Sequence, residues 1–284
     1  MPRRWIFDAP PAPCDATYSY GKDPRQIAEL RLPVGARAAE PVPTVLVIHG
    51  GFWLAEFDRG HVSHLCARLA VLGMATWSLE FRRLGHIGGG FPGTFRDVAA
   101  GADLLRDVAG EHGLDLRRVT ALGHSAGGHL ALWLAGRQTL PADHRLYRPE
   151  PLRIHRVVSL AGIGDLAAAW RERLCFDVVE HLLGGSPEAV PERYEVASPG
   201  SRLPLGVPQA LFHGAADRLV PVELGASYAA AARAAGDAVE LQILPGAGHF
   251  ELIDPRSSEW RSIESVLTAG FGLSGGSSAT VDGS

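Results

Sequence analysis

The sequence predicts an α/β fold: a mostly parallel, doubly wound sheet with helices on both faces. Three observations carry this. Short apolar or β-branched runs alternate with longer helical patterns, most of those runs end in glycine, and no linker or internal repeat divides the chain. At 284 residues, 46% hydrophobic and 20% charged, the chain has the material for one domain with a sizeable core.

The elements follow in order. The arm at 1–40 holds "QIAELRLPV" (26–34), an outlying strand that can pair antiparallel with a run near 16–20. The strand "TVLVIHG" (44–50) precedes a helical pattern at 61–72, and "ATWSLEF" (75–81) precedes one at 94–112. Then come "RVTALGH" (118–124) with a helix at 126–136, and "RVVSLAG" (156–162). "QALFHG" (209–214) leads into a helix at 221–235, and "VELQILPG" (239–246) into one at 255–271. Runs this apolar, without period-two alternation, suit parallel strands buried on both faces. Between 163 and 205 the rhythm breaks into about three short helical pieces punctuated by Pro187, Pro191, Pro199 and Pro204. So long a connection at the carboxyl ends of the strands predicts a short helical lid; the alternative is a packed excursion that never meets a ligand. The Gly/Ser-rich end, 273–284, reads as a flexible tail of a single domain at 1–272.

Charge and cysteine usage exclude several classes. A net charge of −4 offers no basic field, so neither nucleic acid nor a membrane surface is an expected partner. No apolar run approaches the roughly 20 residues of a membrane span. The opening MPRRWIFDAPPAPCD breaks into prolines before an apolar h-region forms, which argues against a signal peptide. Cys14, Cys66 and Cys175 are scattered and odd in number, as expected of reduced thiols in the cytoplasm. His61 and His64 lie one turn apart but lack a carboxylate or cysteine at ligand spacing, so no metal site is predicted.

"GHSAGGHLAL" (123–132) raises the question of chemistry. Alone, G-x-S-x-G occurs by chance; here it joins a strand to a helix through a sharp turn, the context in which a serine hydroxyl projects above a sheet as a nucleophile. The helix behind Ser125 adds positive partial charge for a developing oxyanion. His249 follows the last predicted strand in "LPGAGHF" and can act as general base, its unperturbed pKa being about 6.5. Asp217 follows the preceding strand in "LFHGAAD", where a carboxylate would orient that imidazole. Two glycines directly after a strand in "IHGGFW" (48–53) let backbone N–H groups near Gly51 and Phe52 join that of Ala126 in an oxyanion hole.

HGGFW, GHSAGG, HGAAD and GAGHF together resemble an α/β-hydrolase of the esterase/lipase type, over about 44–254. The HGGxW form is similar to the kynurenine formamidase (arylformamidase) branch and its relatives among small carboxylesterases. The resemblance implies Ser125 as nucleophile, Asp217 as acid, His249 as base and the HGGFW loop as oxyanion hole. It implies acyl transfer to water from a small-molecule ester or aryl formamide, with no metal, nucleotide or flavin. Relatives with these motifs include acetyl and feruloyl esterases and serine exopeptidases, so an exopeptidase on short peptides stays open, as does a non-catalytic ligand-binding protein on the same fold.

Substrate-binding walls are expected from Trp53, Trp170, Phe176 and Phe250, aromatics that flank the catalytic positions or lie in the lid segment. Arg82, Arg83 and His86 follow a strand end, where they can bind a substrate carboxylate; salt-bridged loop residues are the competing and more ordinary reading. The sequence leaves oligomeric state open.

Overall fold

Eight strands form one sheet in the computed structural model, which describes residues 5–36 and 41–273. The strands are β1 (Ala16–Ser19), β2 (Ile27–Arg31), β3 (Val42–Ile48), β4 (Ala75–Leu79), β5 (Leu114–His124), β6 (Arg156–Leu160), β7 (Gln209–Gly214) and β8 (Val239–Leu244). Their order is β1-β2-β4-β3-β5-β6-β7-β8. From β4 to β8 every pairing is parallel, while β2 adds to β4 antiparallel and β1 to β2 antiparallel. The chain leaves β3 first to one side, for β4, and then to the other, for β5. The topological switch point therefore lies between β3 and β5, where open α/β sheets hold their ligands at the carboxyl ends of the strands.

Every residue of β3 and β4 is buried, which explains why these strands read as unbroken apolar runs. Leu46 and Ile48 pack into one core, with α3 (Gly93–His112), α4 (Ala126–Gly136) and α8 (Val222–Ala234). Val45 and Val47 face the other, with α2 (Ser63–Val71) and α9 (Trp260–Phe271). The edge strand β8 is more open, with Ile243 46% exposed. No helix among the described residues is long and apolar enough to cross a membrane.

Boundaries shift from the expected ones for local reasons. The helix expected at 61–72 starts as a 3-10 turn, Arg59–Val62, whose Gly60 N–H is capped by Asp58 Oδ1 at 2.8 Å. The last helix starts at Trp260, because Asp254 Oδ1 accepts from the Arg256 N–H (2.8 Å) and Ser257 binds Glu259, holding 254–259 in turns. β5 reaches back to Leu114, where Val42 pairs with it. The arm also holds a four-residue helix, α1 (Trp5–Asp8), which is too short to leave a periodic pattern in the sequence. Residues 1–4 and 37–40 of the arm, and the expected tail beyond Leu273, lie outside the described residues.

Between β6 and β7 run three short helices: α5 (Leu166–Arg171), α6 (Val178–Leu183) and α7 (Pro191–Ala197). They are tied to the domain from beneath. Trp133 Nε1–H donates to the Val196 carbonyl (3.0 Å), and the Phe91 N–H to that of Leu182 (2.8 Å).

Candidate active site

Ser125 sits between β5 and α4 with φ 55° and ψ −121°, a conformation that costs a non-glycine residue energy and is characteristic of functional turns. The neighbouring glycines are required by space. A Cβ on Gly127 would lie 2.1 Å from the Ile48 carbonyl oxygen, and one on Gly123 would lie 2.0 Å from that of Gly127. The turn therefore presses the start of α4 against the end of β3. Ser125 Oγ is buried and has no hydrogen-bond partner among the described residues. Its backbone N–H is held by the Leu160 carbonyl at 2.8 Å.

Asp217 and His249 leave the ends of adjacent strands, and the Ala216 N–H to Ala247 carbonyl bond (2.9 Å) stitches their loops together. His249 Nδ1–H donates to Asp217 Oδ2 at 2.7 Å, which leaves Nε2 as the basic nitrogen of the ring. Asp217 Oδ1 accepts from the N–H groups of Leu219 (2.8 Å) and Val220 (3.0 Å). Burial pushes this carboxyl up, but His249 and the two backbone donors outweigh it, so the pKa lies below the ordinary aspartate value.

Two further histidines are kept neutral. Burial lowers the His213 pKa, and its Nε2–H donates to the Val220 carbonyl (2.9 Å), so it does not compete for Asp217. Burial, then the nearness of His249, pushes His124 well below its usual value. His124 Nε2–H donates to the His249 carbonyl (3.0 Å), with ring centroids 4.5 Å apart, and so ties the serine turn to the histidine loop.

The loop after β3 runs through Gly51 (φ 111°), Phe52 (φ 51°) and Trp53 (φ 57°). A Cβ at Gly51 would stand 2.3 Å from that of Phe57, so only glycine fits. Among the described residues the backbone N–H groups of Gly51, Phe52 and Ala126 donate to no other group. Beneath them, His49 Nδ1–H donates to the Gly50 carbonyl (2.7 Å) while Nε2 accepts from Arg83 Nη1 (3.1 Å). Arg83 pairs in turn with the buried Glu80 at 2.7 Å.

This arrangement of strands, turns and loops has counterparts among known proteins. The family model BD-FAE matches residues 30–231, well over half of the chain. The chain belongs to the BD-FAE family. Among curated proteins it is 29% identical to Esterase LipC of Mycobacterium tuberculosis, over 83% of this chain and 59% of that protein. It is 24% identical to the probable isoprenylcysteine alpha-carbonyl methylesterase ICMEL1 of Arabidopsis thaliana, over 89% of this chain and 55% of that one. The chain thus spans between half and three-fifths of the length of these relatives. Among solved structures, an esterase of Thermogutta terrifontis superposes with a TM-score of 0.74 at 21% identity, covering 93% of this chain and 97% of that one. A truncated carbohydrate esterase from gut microbiota gives 0.75 at 20% identity, covering 92% and 99%. The fold is that of the α/β-hydrolases.

In this BD-FAE chain, Ser125 and His249 line one cavity of about 250 Å³. Phe52 and Phe250 belong to its wall, together with residues not expected there from the sequence: Phe7, Phe57, Cys175 and Leu219. His61 also lines it, and burial takes its pKa down to about 3, so it is neutral there. The structure does not bring the other expected aromatics to this cavity. Trp53 is 1% exposed and packs edge-on to His129 at 5.3 Å, because the positive-φ turn rotates it into the core. Trp170 donates to Glu180 Oε2 (2.9 Å) beside a separate depression lined also by Arg173. Phe176 is 94% exposed to solvent. Of the segment at 163–205, Cys175 alone among the described residues lines the cavity. Arg82 is taken up by Asp97 (2.7 Å), and Arg83 by Glu80, so both are structural.

Proposed function

We propose that the chain is a serine carboxylesterase that cleaves small, apolar esters through an acyl-enzyme. The observation that carries this is an unpartnered, buried Ser125 hydroxyl in the same apolar cavity as a His249 ring already oriented by Asp217 at 2.7 Å. The esterases among its relatives support the reaction class.

In this mechanism His249 Nε2 takes the Ser125 proton as Oγ bonds to the ester carbonyl carbon, and the carbonyl electron pair moves onto oxygen. The Gly51, Phe52 and Ala126 N–H groups receive that oxyanion; one such donor is worth about 10²–10³ in rate. Collapse breaks the carbon–alkoxy bond, and the imidazolium protonates the leaving alcohol. Water then attacks the acyl-serine with His249 again as base, returning the proton to Oγ. Asp217 stabilises the imidazolium in both halves. Hydrogen bonds of the serine to its base commonly tighten only when substrate is bound, which fits the unpartnered hydroxyl.

The apolar wall favours esters over the alternatives. Among the described residues no carboxylate lines it to receive the ammonium of a short peptide. An amino-acid-like formamide would need a cation for its carboxylate; Arg82 and Arg83 are engaged by Asp97 and Glu80, and Arg218 borders the adjoining depression beside His249, outside the cavity that holds Ser125. The test is hydrolysis of p-nitrophenyl acetate through octanoate beside N-formylkynurenine, with Ser125→Ala as control. Short esters should lead, and the variant should lose on the order of 10⁶ in turnover. Activity that survives the substitution overturns the mechanism, and N-formylkynurenine far ahead of the esters would make the protein a formamidase.

A further inference from the structure

Phe7, Phe57 and His61 line two cavities at once. On one side is the 250 Å³ cavity of Ser125; on the other is a depression of about 510 Å³ that also meets Pro11 and Asp58. These three side chains are the partition. Phe57 is wedged against Gly51, and His61 is 6% exposed, so neither has room to yield. Phe7 is different: it is 40% exposed and comes from α1, a four-residue helix remote in sequence from every other wall residue.

That helix is pinned, not loosely apposed. Trp5 Nε1–H donates to Asp254 Oδ2 at 2.7 Å, the Arg256 guanidinium carbon lies 3.3 Å from the Trp5 ring centroid, and Ile6 is 2% exposed in the core. Phe7 consequently stands edge-on to Phe250 (5.1 Å, 89°), next to the histidine of the site, and tilted on His61 (5.3 Å). A dry cavity of about 150 Å³ accommodates benzene, so 250 Å³ holds a ring or a short acyl chain; on a side that Phe7 does not line, Leu219, His249 and Phe250 also border a depression of about 600 Å³.

We propose that Phe7 is the specificity-determining residue that sets the length limit of the apolar substrate group, by closing the Ser125 cavity against the second depression. This rests on the esterase reading for its hydrolytic test, although the partition itself does not. Phe7→Ala would join the two spaces; Phe7→Trp would shorten the first.

The experiment compares kcat/KM on p-nitrophenyl acetate, butyrate and octanoate for the wild type, Phe7→Ala and Phe7→Trp. The ratio of octanoate to acetate should rise about tenfold or more in Phe7→Ala, what two further buried methylenes supply, and should fall in Phe7→Trp. A purely structural Phe7 would lower all three esters in proportion, and unchanged ratios overturn the proposal. A second readout needs no hydrolysis. In a Ser125→Ala background, the rise in Tm given by butan-1-ol and by octan-1-ol is compared with Phe7 present and replaced by alanine. The preference should move to the longer alcohol; the same preference in both proteins overturns the partition. If the wild type hydrolyses no ester, the esterase reading falls while the alcohol profile still decides the role of Phe7.

Discussion

Each oxygen of Asp217 has a single assignment. Oδ2 faces His249, Oδ1 takes two backbone N–H groups, and the side chain is wholly enclosed. Asp217→Asn fits the same space and keeps the Oδ1 acceptor, but it turns an NH₂ toward His249 Nδ1. The imidazole must then accept at Nδ1 and carry its proton on Nε2, so it can no longer take one from Ser125. The expected result is kcat lowered by about 10³–10⁴ with KM little changed and the fold intact by circular dichroism. Retention of more than a tenth of the wild-type kcat would remove Asp217 from the mechanism. These three positions were legible in the sequence because each sits in a turn immediately after a strand, and turns after strands are encoded locally. The cavity wall was not. Phe7 and Cys175 reach it through tertiary packing of segments with no motif, and Trp53, inside the most recognisable motif, is turned away by the φ values of its loop.

At the level of elements, the site depends on how closely α4 meets β3. All eleven residues of α4 are buried, and its first turn touches the backbone of the strand that leads into the Gly51–Trp53 loop. A methyl group at Gly127 would meet the Ile48 and His49 carbonyl oxygens at 2.1 and 2.5 Å, both backbone atoms that cannot swing aside. Gly127→Ala must therefore move a strand end or the helix. Overpacking of this kind costs about 1–3 kcal/mol, or roughly 2–5 °C in Tm for a chain of this size. Turnover should fall further than stability implies, since Ala126 and Gly51 lie on the two sides of the displaced contact. Calorimetry and ester hydrolysis on the same preparation test this, and a variant with wild-type Tm and kcat would show that the contact is slack. The parallel strands and long helices were readable because apolar runs and helical periodicity are themselves the cause of those elements. Their ends were less so, since side-chain bonds such as Asp254 to the Arg256 N–H decide them. A four-residue helix such as α1 is too short to show a period at all.

Over the whole molecule, covering both faces of the sheet buries several imidazoles, and this makes stability depend on pH. Burial takes His61 to about 3 and His129 to about 4; the latter is enclosed in α4 with Nε2–H on the Ala197 carbonyl at 2.9 Å. Well above the unfolded pKa of about 6.5 both rings are neutral folded or unfolded, and they contribute no pH dependence. Below it the unfolded chain binds protons that the folded chain refuses until pH reaches about 4 or lower. Stability therefore falls as pH drops, by up to about 1.4 kcal/mol per unit for each histidine. Two such groups over two units remove about 5 kcal/mol, comparable with the roughly 5–15 kcal/mol that holds a typical domain together. The urea midpoint should be nearly flat from about pH 8 to 7.5, begin to fall near 6.5, and decline steeply from about pH 6 towards 4.5. His129→Leu leaves the Ala197 carbonyl unpaired and will be less stable at pH 7.5. It also removes one titrating group, so its loss between pH 7.5 and 5 should be about 2 kcal/mol smaller than that of the wild type. Equal losses in the two proteins would mean that His129 takes up its proton in the folded state near the ordinary pKa, and that the acid sensitivity has another source.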